Sequence, residues 1–107
     1  MSTYNKLVRD KIPEIISEKG DKANFRILDE DEYILALNAK LSEECAEYQK
    51  GNNVEELADI LEVIYAIVKA KGWSAPELEE IRAHKAKERG GFEDRIFLID
   101  AESTKEQ

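Results

Sequence analysis

Apolar positions recur at three- and four-residue steps through the middle of the chain, and the pattern breaks once, at Gly51-Asn52-Asn53. From Glu32 to Lys50 the recurring residues are Ile34, Leu37, Leu41, Cys45 and Tyr48, the mark of an amphipathic helix. From Val54 to Lys71 helical spacing resumes with Leu57, Ile60, Leu61, Ile64, Ile67 and Val68. Glycine tolerates positive φ and asparagine caps helices, so the break reads as a tight turn with Gly51 at its opening. So short a connection makes the two helices antiparallel neighbours.

The flanks carry weaker patterns. Lys11 to Lys19 predicts a short helix with Pro13 in its first turn and Gly20 at its end, preceded by an extended Tyr4 to Val8. Phe25 to Leu28 alternates weakly and reads as a strand, and Asp29-Glu30-Asp31-Glu32 then supplies caps and negative charge for a helix start. Gly72 closes the second long helix. Ser74, with Pro76 and Glu77 behind it, opens a third that runs to about Arg89, where Gly90-Gly91 stops it. Arg95 to Ile99 reads as a short strand, and residues from about 100 to 107 as a frayed polar tail. No internal repeat or linker interrupts the series, so the expectation is one domain over 1–107, all-α, with short extended segments near its ends.

Composition narrows the choice of function. The chain has 107 residues, 42% hydrophobic and 37% charged, which suits a folded helical protein with a small core that oligomerisation would enlarge. A net charge of −8 argues against binding duplex nucleic acid, but a nucleotide remains open as substrate because a metal ion can neutralise phosphates locally. The single cysteine, Cys45, lies in the apolar stripe and reads as a buried structural thiol. The start, MSTYNKLVRDKIPEII, has no long apolar run, and the longest one, Val63 to Val68, is too short to span a bilayer, so no membrane partner and a cytoplasmic location are expected.

Helical geometry sorts the acids. With Leu41 at zero on a 100° wheel, Glu44, Lys40 and Glu47 fall at about −60°, −100° and −120°, along one edge of the apolar stripe, whereas Glu43 projects at about 200° onto a solvated face. With Ile60 at zero, the apolar residues of the second helix span about −60° to +100°, Glu56 falls inside that arc at about −40° and Asp59 at its edge near −100°, while Glu55 and Glu62 point out. A carboxylate inside an apolar arc needs a cation or hydrogen-bond donors. The hairpin sets Glu44 and Glu47 opposite Glu56 and Asp59, and an all-oxygen donor set suits Mg²⁺ first and Mn²⁺ second. A di-iron site would need Glu-x-x-His pairs, whereas the lone His84 follows Ile81 by three residues. From spacing alone, ordinary surface ion pairs with nearby lysines remain the alternative.

The series K-L-S-E-E-C-A-E (Lys40 to Glu47), a tight turn and E-L-A-D (Glu56 to Asp59) resembles the EExxE…ExxD motif of the MazG-like all-α nucleoside triphosphate pyrophosphohydrolases, a superfamily that includes phosphoribosyl-ATP pyrophosphohydrolases. The opening Y-N-K-L-V-R-D-K-I-P-E-I-I and closing K-x-K-x-R-G-G-F (Lys85 to Phe92) are similar to a branch of small house-cleaning pyrophosphatases, so the resemblance covers residues 4 to about 99. It implies an antiparallel helical bundle completed by oligomerisation, first of all a homodimer. It also implies Mg²⁺ on Glu44, Glu47, Glu56 and Asp59, the four the wheel selects, with one of these or Glu43 taking the proton of the attacking water.

Basic candidates for holding the triphosphate are Lys40 beside the acids, Lys85, Lys87 and Arg89 at the end of the third long helix, and Arg9 and Lys11 in the opening motif. Trp73 and Tyr48 have the chemistry to stack on a base, although aromatics at helical spacing are more often core. Gly90-Gly91 permits close approach to phosphate and serves equally as a helix stop. Two rivals stay open: a Mg²⁺-dependent hydrolase of another phosphate compound such as phosphoribosyl-ATP, and a helical interaction module. The module requires Glu56 to reach solvent or pair with Lys40.

Overall fold

The computed structural model describes residues 3–104. They form four helices, α1 (Ile12–Glu18), α2 (Glu30–Gly51), α3 (Val54–Ala70) and α4 (Ala75–Arg89), and no strand is present among them. The fold is all-α. The described residues fall into two compact units, one within Met1–Ala75 and one within Pro76–Gln107.

In the first unit α2 packs against α3. The hairpin between them is made by asparagines. Asn52 takes the left-handed conformation (φ 53°) and its backbone N–H donates to the Tyr48 carbonyl, while Asn53 caps α3 by accepting from the Glu56 N–H. Gly51, expected to open the turn, is instead the last residue of α2. Asparagine adopts left-handed backbone at little cost, which frees the glycine for another use.

The start of α2 is fixed as the acidic run suggests. Asp29 accepts from the Glu32 N–H, and the Glu32 side chain reaches back to the Asp29 N–H, a reciprocal capping box. Arg26 adds two hydrogen bonds to the Glu32 carboxylate, at 3.2 and 2.9 Å. Arg26 first, and the Asp29 backbone second, hold the Glu32 carboxyl down at about 2.

Leu37 of α2 and Val63 and Val68 of α3 are the buried apolar residues among those described. Cys45 is exposed, contrary to expectation. The covered face of α2 is rotated away from it: Leu37 is buried, the Lys40 and Glu44 side chains are only 17% and 13% exposed, and Cys45 lies on the other flank of the stripe. On α3 the apolar arc is wider than one neighbour can cover, so Val54, Leu57, Leu61 and Tyr65 remain exposed along one side. The second unit holds α4, which has no buried residue.

Phe25 to Leu28 and Arg95 to Ile99 are irregular rather than strands. No partner strand among the described residues receives their backbone groups, and Arg95 sits at φ 58° with its N–H bonded to the Phe92 carbonyl, a turn geometry. Residues 100–104 lack regular structure, and the rest of the expected tail, 105–107, lies outside the described residues. No helix among the described residues is long and apolar enough to cross a membrane.

Leu37→Ala is expected to cost about 2–5 kcal/mol in urea unfolding, against less than about 0.5 kcal/mol for Leu35→Ala on the exposed side. The cap gives a pH prediction. Because the Glu32 pKa is lowered on folding, its contribution is present above the ordinary value of 4.5 and lost as pH falls toward about 2. An NMR titration of the Glu32 carboxyl is expected to show a midpoint near 2, moving toward 4.5 in Arg26→Ala.

Candidate functional site

The acids of interest sit on both arms of the hairpin, Glu43, Glu44 and Glu47 on α2 and Glu56 and Asp59 on α3. Glu56 is the third residue of α3. Its Oε1 accepts from the Asn53 side-chain amide at 2.9 Å, and its backbone N–H donates to Asn53 Oδ1 at 3.1 Å. Its other oxygen, Oε2, is buried and has no hydrogen-bond partner.

The reason this carboxylate fits is Gly51. It packs directly against the Gly51 backbone, so that a Cβ there would collide with Oε1 and stand 2.7 Å from Oε2. The glycine thus serves the close approach of a side chain, not the turn conformation. Capping explains one oxygen of Glu56; no hydrogen bond among the described residues explains the other. Glu56 does not pair with Lys40.

Lys40 serves α2 instead. Its Nζ lies 2.7 Å from Glu43 Oε2 and 3.3 Å from Glu44 Oε1. Burial depresses the Lys40 pKa, but the bonds to Glu43 and Glu44 outweigh it and the net shift is upward. Glu43 is not the solvated residue the wheel suggests. Its side chain is 31% exposed, and Lys6 from the N-terminal segment pairs with it at 3.0 Å. Lys40 first and Lys6 second hold its carboxyl below the usual range. A wheel sees one helix, and the neighbour that covers Glu43 comes from a distant irregular segment. Lys6 was therefore missed, and the opening motif K-L-V-R, with cations three apart, was the available signal.

Arg9, from the same segment, reaches the other arm. Its Nη2 lies 2.7 Å from Asp59 Oδ1. Two of the four carboxylates assigned to a metal, Glu44 and Asp59, thus face cations of the protein itself, and Glu47 is exposed. No group of three or more His, Cys, Asp or Glu side chains among the described residues is drawn together as a metal cluster. The acids offer oxygen donors alone, the chemistry a hard cation prefers, and one of those oxygens, on Glu56, is buried with no partner among the described residues.

The remaining candidates lie elsewhere. Lys11 is the exposed N-cap of α1. Lys85, Lys87 and Arg89 belong to α4 in the second unit, where Lys85 and Arg89 line a shallow cleft with Glu80, Ile81, His84 and Glu88. His84 stands 3.1 Å from Glu88, an ion pair when the imidazole is protonated. Trp73 is exposed beneath Lys71, whose Nζ is 5.8 Å from the ring centre, and Tyr48 is half-buried on α2. In the first unit a shallow cleft of about 300 Å³ lies between the N-terminal segment and α2, its wall formed by Lys6, Lys40, Glu43 and the small residues Ala36 and Ala39.

No protein-family model matches the chain, and no solved structure is significantly similar to it. A protein of Mycolicibacterium smegmatis, described as an uncharacterized protein, is 55% identical over 46 residues. The match covers 43% of this chain and 47% of that protein, so it spans about half the relative's length.

The Arg9–Asp59 pair is exposed on both sides, and a double-mutant cycle with Arg9→Ala and Asp59→Ala is expected to give a coupling of about 0.2–1 kcal/mol, falling in high salt.

Proposed function

We propose that the chain is a MazG-like, Mg²⁺-dependent nucleoside triphosphate pyrophosphohydrolase that releases the monophosphate and pyrophosphate. The observation that carries this reading is the buried, unpartnered Oε2 of Glu56. It belongs to a set of oxygen donors on two packed helices, and the residues match a motif that resembles the metal-binding one of that superfamily. Glu44, Glu47, Glu56 and Asp59 would hold the ion. When bound, Mg²⁺ neutralises phosphate oxygens and lowers the pKa of water.

The chain's own residues do the rest. Lys40 orients Glu43 and Glu44 from one side. A carboxylate of the hairpin takes the proton of the water whose oxygen attacks the α-phosphorus, and the bond from that phosphorus to the pyrophosphate oxygen breaks. Pyrophosphate leaves with the electron pair of that bond.

The apolar side of α3 supports assembly. Val54, Leu57, Leu61 and Tyr65 form an exposed stripe beside the α2 contact, and a second copy laid on it completes a bundle around the site. A homodimer in the cytoplasm, clearing non-canonical nucleotides, is the corresponding biological role.

A panel of canonical and damaged nucleoside triphosphates with Mg²⁺, together with phosphoribosyl-ATP, tests the reading through the product. Pyrophosphate is expected from at least one triphosphate, and Glu56→Gln is expected to lower the rate by at least about 100-fold. Gly51→Ala separates site from stability: Gly51 ends α2 in helical conformation, which alanine also adopts, so the fold is kept while the displaced Glu56 carboxylate costs activity. Orthophosphate as product, or a fully active Glu56→Gln, would contradict the proposal.

A further inference from the structure

Lys6 and Arg9 stand on one irregular segment and each engages an acid on a different arm of the hairpin, Glu43 of α2 at 3.0 Å and Asp59 of α3 at 2.7 Å. The segment therefore straps the two helices together through its cations. Lys6 can be withdrawn without leaving an unpaired charge behind, and Arg9 when a cation takes its place. Glu43 keeps Lys40 at 2.7 Å when Lys6 leaves. Asp59, when Arg9 leaves, is one of the acids assigned to a divalent ion, whose charge exceeds that of a guanidinium. The Arg9 and Asp59 side chains are 58% and 42% exposed, so this pair is screened and readily exchanged.

We propose that Lys6 and Arg9 form an exchangeable clamp, neutralising Glu43 and Asp59 in the free protein and turning to the phosphate chain of the substrate when a divalent cation takes Asp59. The inference rests on the metal reading given above. Arg9 offers the fork that suits phosphate oxygens, and Lys6 a point charge at the wall of the cleft, where Ala36 and Ala39 leave room for the chain. The arrangement makes metal and phosphate binding sequential. Asp59 holds Arg9 until the ion arrives, and the ion's arrival presents the guanidinium to the phosphates.

The test compares wild type, Arg9→Gln and Lys6→Gln in two titrations, Mn²⁺ alone followed by electron paramagnetic resonance, and inorganic tripolyphosphate at saturating Mg²⁺ followed by calorimetry. Both residues are exposed, and circular dichroism checks that helix content is unchanged. Arg9→Gln is expected to bind Mn²⁺ about 2- to 5-fold more tightly because a competing ion pair is gone, and Lys6→Gln to bind it as wild type does. Both variants are expected to bind tripolyphosphate at least about 10-fold more weakly. A purely structural strap would not tighten Mn²⁺ binding while weakening phosphate. Equal or weaker Mn²⁺ binding by Arg9→Gln overturns the exchange, and unchanged tripolyphosphate affinity in both variants overturns the clamp. Failure of the wild type to bind Mn²⁺ overturns the metal reading itself, and the clamp with it.

Discussion

The Glu56 carboxylate is pressed against the backbone of Gly51, at the point where one long helix ends and the next begins. That contact ties three things together. A Cβ at the end of α2 would displace the carboxylate, Asn52 rather than the glycine supplies the left-handed turn, and one carboxylate oxygen is out of reach of solvent. A buried oxygen without a donor costs about 1–3 kcal/mol, more when charged. Such a cost makes sense where a ligand is to meet it.

Around this carboxylate the chain manages a large excess of negative charge with few cations. Lys40 bridges two glutamates on its own helix, and the N-terminal segment contributes a cation to each arm. The partners differ in burial. Lys40 is mostly covered and held by two acids, whereas Arg9 and Asp59 meet in solvent. The half-buried pairs lie within α2, and the exposed one, which reaches α3, is where a competitor enters most easily.

How far the sequence spoke depends on which contacts were local. The helix starts and stops, and an acidic cap for α2 in the run Asp29 to Glu32, are legible in local order and spacing, and they appear in the structure within a residue or two of expectation. Glu43 and Cys45 went the other way. Each was assigned from the wheel of α2 alone, and what covers or uncovers them is the position of a neighbour that no helical period encodes. Phe25 to Leu28 alternates as a strand should, but alternation without a pairing partner does not make one. The proposed role of the acids as metal ligands rests on the resemblance. The unpartnered oxygen and the glycine beneath it are properties of the folded chain.

The exposed stripe on α3 shares its helix with Glu56 and Asp59, while Glu44 and Glu47 stand on α2. Paramagnetic broadening by substoichiometric Mn²⁺ on the amide spectrum tests the central claim most directly. The account predicts saturable broadening centred on the residues flanking Glu44, Glu47, Glu56 and Asp59, abolished by Glu56→Gln. Broadening spread evenly over the acidic surface, or unchanged in that variant, would contradict it.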